Sequence, residues 1–274
     1  MSDTSHTYTC GFIGCGNMGS ALAAAAAKTI PGEQLILADH SAEKAAALAE
    51  KLHAVHGTNE EAAACCDFLF LGVKPQMMAK MLSSIAPVLK SRTDRFVLVS
   101  MAAGLTIARI QELAGGDYPV IRIMPNTPVS VGEGMILYAA SDAVTAEEKA
   151  LFTANMAMAG ILDELSEGLI DAGSAVSGCG PAFADLFLEA LADGGVECGL
   201  PREKAQLYAA QMLLGSAKLC LAGGEHPGVL KDRVCSPGGS TIVGVHALEH
   251  GSFRGITADA VVAAFEKTKD LGKH

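Results

Sequence analysis

Tryptophan is absent from this chain and tyrosine nearly so, with 4 among 274 residues, and aromatic side chains make up only 5%. Half of the residues (50%) are nevertheless hydrophobic, and glycine and alanine are abundant, which describes a soluble protein of close-packed helices. Close helix packing also suits an oligomer interface. Charge is scarce as well, at 18%, and its balance is acidic, with a formal net charge of −10. Binding the phosphates of a nucleic acid normally needs a basic face, and no dense Lys/Arg cluster occurs, so the charge disfavours a nucleic-acid partner and none is expected. The acidic surface serves solubility. Zinc-type cysteine pairs are missing too: Cys10, Cys15, Cys65, Cys66, Cys179, Cys198, Cys220 and Cys235 are scattered too thinly for a disulfide scaffold. Reduced thiols in a cytoplasmic protein with no metal site are expected. Met1 to Thr9 is polar and runs straight into a strand, and the Ala23–Ala27 run closed by Lys28 is too short to span a bilayer. Neither a signal peptide nor a membrane helix is expected.

What is present begins with an alternation of short apolar runs and helical stretches. Thr9 to Ile13, Leu35 to Ala38, Phe68 to Val73, Phe96 to Ser100 and Val120 to Ile123 read as buried strands, with a further strand at Met135 to Ala139. Asn17 to Thr29, Ala42 to His53, Gln76 to Leu89 and Thr106 to Ala114 carry helical spacing between them. The pattern predicts an α/β Rossmann-type, doubly wound parallel sheet. Thr145 to Gly160 follows as a helix, opened by a capping box of Thr145 and Glu148. From about Ser166 the strand signals fade, and Pro181 to Gly199, Arg202 to Ala222, Ser240 to Glu249 and Thr257 to Leu271, with Thr257 as its cap, read as helices. Two domains are therefore expected: a cofactor-binding domain over 1–165 and an all-α domain over 166–274.

Gly14-x-Gly16-x-x-Gly19 follows the first strand and opens an Ala-rich helix. The first glycine makes the turn, the second lets backbone approach a pyrophosphate, and the third lets helix meet strand. Asp39 lies twenty residues beyond Gly19, at the end of the second strand, where a carboxylate accepts from the adenosine ribose hydroxyls. That favours NADH over NADPH. His40 and Ser41 follow at once, and a protonated imidazole with a hydroxyl suits a ribose phosphate instead. Lys74, in Gly72-Val73-Lys74-Pro75 at the carboxyl end of the third strand, reaches a ligand there or is a surface lysine. Met101-Ala102-Ala103-Gly104 ends the next strand with residues small enough for a nicotinamide ring, or for a turn. In Arg122-Ile123-Met124-Pro125-Asn126-Thr127-Pro128, Asn126 orients the nicotinamide or satisfies backbone in an Asx turn.

The second informative segment is Ser236-Pro237-Gly238-Gly239-Ser240-Thr241. Pro237 fixes one backbone angle, the glycines clear the approach, and the first N–H groups of the next helix are unpaired donors for a small carboxylate. The alternative is a helix-start turn without ligand, capped by Ser240 or Thr241. The turn has no histidine or carboxylate, so any chemistry there must come from a reagent bound elsewhere.

Gly11–Met18, Val73–Pro75, Ala102–Gly104, Arg122–Pro128, Ser177-Gly178-Cys179-Gly180-Pro181-Ala182 and Ser236–Thr241 together resemble the pyrroline-5-carboxylate reductase family over nearly the whole chain. The resemblance implies reduction of 1-pyrroline-5-carboxylate to L-proline by NADPH or NADH, a Rossmann domain, and a helical domain that interlocks two subunits, with decamers common. By position it implies dinucleotide contacts from Ile13, Gly14, Cys15, Gly16, Asn17 and Met18, from Asn59, from Val73, Lys74 and Pro75, and from Met101, Ala102 and Ala103. Without the resemblance, Asn59 reads only as the cap of a helix beginning near Glu60. Substrate contacts fall on Ser236, Gly238, Gly239, Ser240 and Thr241, with Thr241 nearest the ring nitrogen; Thr241 and Lys74 are the candidate catalytic residues. Two positions depart from the family. Cys179 replaces the usual serine, a packing change, and Asp39 stands where many NADPH-preferring members have an uncharged or basic group.

Two other readings share some of these features. A β-hydroxyacid dehydrogenase also joins a glycine-rich Rossmann turn to a helical domain, but oxidising an alcohol needs a general base, supplied in that family by a lysine on the first long helix of the helical domain. No lysine occurs here between Lys149 and Lys204. A non-enzymatic dinucleotide sensor would have no use for the second turn.

Overall fold

Strands covered on both faces by helices must be apolar throughout, and Leu35-Ile36-Leu37-Ala38 and Val97-Leu98-Val99-Ser100 are buried at every residue. A computed structural model describes residues 8–271. In chain order it contains β1 (Tyr8–Ile13), α1 (Asn17–Ala26), β2 (Leu35–Ala38), α2 (Ala42–Leu52), β3 (Val55–His56), α3 (Asn59–Cys65), β4 (Cys66–Leu71), α4 (Pro75–Ser91), β5 (Val97–Ser100), α5 (Ile107–Ala114) and β6 (Val120–Met124). There follow β7 (Gly134–Ala140), α6 (Ala146–Asn155), β8 (Gly160–Glu164) and α7 (Glu167–Ser177). The strands form one sheet in the order β3-β2-β1-β4-β5-β6-β7-β8. The first six are parallel and doubly wound, and the strand order reverses between β1 and β4, the place where such sheets bind ligands.

Three departures from the sequence expectation have physical causes. The sheet is not wholly parallel: β7 runs antiparallel to β6, because a short helical turn at Thr127–Val131 returns the chain at once instead of a crossover helix. The helix expected through Gly160 stops at Asn155, and Gly160, at φ +134°, turns the chain into β8, which the sequence reading missed. β3, only two residues long, was also missed, and the helix expected from near Glu60 begins at Asn59 as α3, capped by Thr58 and not Asn59 in a capping box with Glu61. The box of Thr145 and Glu148 forms as expected.

Alternation along the strands splits the core into two layers. Phe12, Phe68, Phe70, Val99 and Phe152 pack on one side of the sheet, and Ile13, Leu69, Leu71, Met78, Leu82 and Leu98 on the other. The few aromatic rings are concentrated in the first layer, where Phe12 stacks on Phe70 at 4.4 Å between centroids.

By compactness the chain divides into residues 1–179 with 264–274, and residues 180–263. The helical unit contains α8 (Gly180–Glu197), α9 (Arg202–Gly223), α10 (Pro227–Val234), α11 (Ser240–His250) and the start of α12 (Phe253–Leu271). Thr257 lies inside α12 and donates its hydroxyl to Phe253 O at 2.7 Å, so it is not the expected cap. Helices α8 and α9 pair through small residues, with Ala192, Ala205 and Ala209 buried. Elsewhere the unit leaves apolar side chains open: Leu186 is 68% exposed, Leu221 73% and Val243 66%. Exposed apolar side chains gathered in this way mark an interaction surface. The stretch Glu167–Glu197 is, by length and composition alone, apolar enough to cross a membrane, which the sequence reading did not register.

Candidate active site

The sheet register assembles the first site. Ala38, Ile13, Leu71 and Ser100 lie in one row across β2, β1, β4 and β5. The residues that follow, Asp39, Gly14, Gly72 and Met101, therefore leave the sheet along one edge. Backbone bonds lock it: Gly14 N–H donates to Ala38 O at 2.8 Å and Gly72 N–H to Ile13 O at 2.7 Å. In front of this edge lies a cavity of about 600 Å³ lined by residues including Ile13, Gly14, Asp39, His40, Asn59, Gly72, Val73 and Lys74. It is large enough for much of a dinucleotide.

The glycine turn fits a dinucleotide on two structural observations. A side-chain carbon at Gly16 would meet nothing within 4 Å, so this backbone is open to a close-approaching ligand. One at Gly19 would sit 2.0 Å from Gly14 O, so the start of α1 touches the turn as only glycine allows. No side chain caps α1, which leaves its first N–H groups for an anion. Asn17 opens that helix and is exposed, whereas Met18 packs partly against the core.

Asp39 is more constrained than its loop position suggests. Its side chain is 7% exposed; Oδ2 accepts from Cys15 N–H at 2.7 Å, Oδ1 accepts from Ser41 N–H at 2.9 Å, and His40 Nδ1 lies 2.8 Å from Oδ1. Burial alone would raise its pKa, but the Ser41 and Cys15 N–H groups, then His40 and Lys44, hold it below the usual carboxylate range. The same carboxylate acts second to burial in pushing the Cys15 thiol up to about 11, so Cys15 is no nucleophile. Asn59, freed from capping by Thr58, lines the cavity beside Asp39. Lys74 is exposed at the start of α4, ahead of Pro75 in the helix's first turn, and makes no ion pair among the described residues.

Other expected residues stand apart from this cavity. Met101, Ala102 and Ala103 leave the same sheet edge without lining it. Asn126 is buried and committed to backbone: Oδ1 accepts from Met135 N–H at 2.8 Å and Nδ2 donates to Ser177 O at 2.9 Å. Of its two expected roles it fills the backbone one, through distant partners and not an Asx turn. Arg122 is 2% exposed, with Nη2 2.5 Å from Asp171 Oδ1, Nη1 3.6 Å from Glu167 Oε1, and Nε without a partner. Glu167 also accepts from Ile107 N–H at 2.6 Å, so this cluster ties β6 and α5 to α7. It was invisible in the sequence.

The second site lies in the helical unit. Ser236-Pro237-Gly238-Gly239 is a tight turn closed by Gly239 N–H on Ser236 O at 3.0 Å, with Gly238 at φ +69°. Proline and glycine in that order are the signature of a type II turn. Gly239 occupies the cap position of α11 and no side chain caps that helix, so neither Ser240 nor Thr241 takes the alternative role. Ser236 and Ser240 are exposed and Thr241 is half-buried. Unpaired N–H groups beside three hydroxyls can hold a carboxylate and one further polar atom.

Comparison with known proteins agrees with both halves. Residues 167–271 match the family described as pyrroline-5-carboxylate reductase dimerisation, and residues 9–104 that described as NADP oxidoreductase coenzyme F420-dependent. The pyrroline-5-carboxylate reductase of Escherichia coli (strain K12) is 40% identical over 271 residues, 96% of this chain and 98% of that one. That of Pisum sativum is 38% identical, covering 97% of each chain. The solved Plasmodium falciparum pyrroline carboxylate reductase, with NADP bound, superposes with a TM-score of 0.86 at 36% identity, covering 97% of this chain and 98% of that one. Identity at this level along the full length, together with the dinucleotide edge and the uncapped turn, places the chain in the pyrroline-5-carboxylate reductase family.

Proposed function

We propose that this protein reduces 1-pyrroline-5-carboxylate to L-proline, using NADPH or NADH. The observation that carries the reading is the pairing, in one chain of this family, of a dinucleotide edge with a carboxylate-sized turn that holds no titratable side chain. A bound reduced nicotinamide supplies the hydride. A cyclic imine is readily protonated and its carbon is then electrophilic, so the protein needs little acid–base apparatus.

Each residue has a defined task. Gly14, Cys15, Gly16, Asn17 and Met18 present backbone to the pyrophosphate beside Ile13; Asp39 and Asn59 face the adenosine ribose; Val73, Lys74 and Pro75, with Met101, Ala102 and Ala103, flank the nicotinamide half. Ser236, Gly238, Gly239 and Ser240 hold the substrate carboxylate by N–H and O–H donation, and the Thr241 hydroxyl holds the ring nitrogen and its proton. Lys74 assists as a nearby cation. Asn126 supports this edge through its bonds to Met135 N–H and Ser177 O, with one amide N–H and one lone pair left for the nicotinamide half. The functional boundary falls at 165/166, supported by the dimerisation match beginning at residue 167. The exposed apolar faces of the helical unit then meet a second subunit, which also accounts for the apolar Glu167–Glu197 stretch; dimers assemble into decamers in the cytoplasm.

The test follows absorbance of the reduced nicotinamide with 1-pyrroline-5-carboxylate and identifies L-proline as product. Substrate-dependent oxidation is expected, and Thr241→Ala lowers turnover roughly ten- to a thousandfold, the size of one transition-state hydrogen bond. An unchanged rate removes Thr241 from the mechanism; oxidation of a hydroxyacid in place of imine reduction replaces the reading.

A further inference from the structure

We propose that Asp39 selects the unphosphorylated dinucleotide, making this an NADH-preferring member. The inference rests on the reductase reading above and adds to it which of the two nucleotides the site accepts. Three observations carry it. Asp39 follows β2 at the ligand edge and lines the cavity of about 600 Å³, where an acidic side chain in this fold meets the adenosine ribose. Its carboxylate is held rigidly by Cys15 N–H and Ser41 N–H, so it cannot swing away from a phosphate without releasing the glycine turn. Beyond it, a second cavity of about 390 Å³ shares Asp39 and Asn59 with the first and continues past Glu60 and Glu61, with no lysine or arginine in its lining.

Donor and acceptor counting gives the same answer. A carboxylate offers about four lone-pair sites. Cys15, Ser41 and His40 engage at most three here, which leaves one for a ribose hydroxyl. A ribose phosphate brings only acceptors and further negative charge to that position. The basic groups nearby are His40, exposed at the rim, Lys44, His56 in the second cavity's lining, and Lys74 and Lys80, which line the first cavity on the α4 side; only Lys44 and the two histidines lie toward the end that carries Asp39, Glu60 and Glu61. Glu61 cannot turn away, since its carboxylate accepts from Thr58 N–H in the capping box.

Calorimetric titration of the whole protein with NADH and with NADPH tests this directly. Wild type is expected to bind NADH at least about tenfold more tightly. Asp39→Asn removes the charge but retains an acceptor, and should narrow that ratio about tenfold, chiefly by tightening NADPH. Equal or tighter NADPH binding by wild type overturns the proposal, as does a ratio unchanged in a folded Asp39→Asn. Should the variant fail to fold, the wild-type ratio decides alone. Absence of imine reduction with both nucleotides would defeat the reductase reading and leave the binding ratio standing.

Discussion

Two glycines three residues apart in the same turn are expected to fail in opposite ways. At Gly19 an alanine Cβ would lie 2.0 Å from Gly14 O, against the 3.0 Å below which such contacts essentially do not occur, so helix and turn must part by about 1 Å. Forcing an extra methyl into a packed contact costs about 1–3 kcal/mol, and the upper end applies where the obstacle is backbone. For a chain of this size each kcal/mol lowers Tm by about 2–4 °C, so Gly19→Ala should melt about 5–10 °C below wild type. Gly16 is different. Its φ of −69° and ψ of −174° suit alanine, nothing lies within 4 Å, and the substitution weakens only a cap position, by about 1 kcal/mol or less. Its methyl would instead occupy the space that backbone leaves for the pyrophosphate. Nucleotide at a hundred times its Kd stabilises the folded state by about 2.7 kcal/mol, and a tenfold weaker Kd cuts that to about 1.4 kcal/mol. Thermal melts with and without nucleotide, at matched protein concentration, read both effects. Gly16→Ala should fold normally and lose about half or more of the nucleotide-dependent shift. A full shift in Gly16→Ala, or a wild-type melt in Gly19→Ala, would refute the assignment of ligand approach to one glycine and helix contact to the other.

The buried cluster around Arg122 should be asymmetric under mutation. Asp171→Ala leaves a guanidinium that is 2% exposed without its closest partner, at a cost of about 3–5 kcal/mol, whereas Arg122→Met leaves two carboxylates, 26% and 32% exposed, that water still reaches. Equal losses in thermal melts of the two variants would show that the pair is not the organising contact. Asp39 also predicts a pH dependence: its folded pKa lies below the unfolded value of about 3.9, so its contribution is complete above that pH and disappears as pH falls through the lower folded value. The Tm advantage of wild type over Asp39→Asn should therefore be constant near neutral pH and shrink toward pH 3; a difference that does not change with pH would exclude a charged Asp39 as its source.

The cofactor edge was legible because its signals are local. An apolar run, three glycines at fixed spacing and an Ala-rich helix all fall between Thr9 and Ala26, and Asp39 followed from counting along one βαβ unit. What the sequence could not reveal is that Asp39 holds Cys15, since that contact depends on the β1–β2 register. The Arg122–Pro128 motif shows the same limit more sharply. Its spacing marks a rigid strand end, yet the partners of Arg122 and Asn126 on α7 lie 49 and 51 residues away. A polar residue satisfied at that separation looks no different in sequence from one waiting for a ligand.

The helical unit failed for another reason. Its long helices were legible from composition, unlike the short α10, but no face could be assigned because alanine, leucine and methionine occur all round them. Helix α9 buries only Ala205 and Ala209, and α11 and α12 bury no described side chain. Their apolar side chains stay open within one chain, which agrees with the match of residues 167–271 to a dimerisation family. The Ser236–Thr241 turn sits within that unit, at the uncapped start of α11. The hydrogen bond that closes this turn, Gly239 N–H to Ser236 O, lies within one chain. The cofactor edge is different: its locking bonds and its core both lie within residues 1–179, and its geometry does not depend on a second subunit.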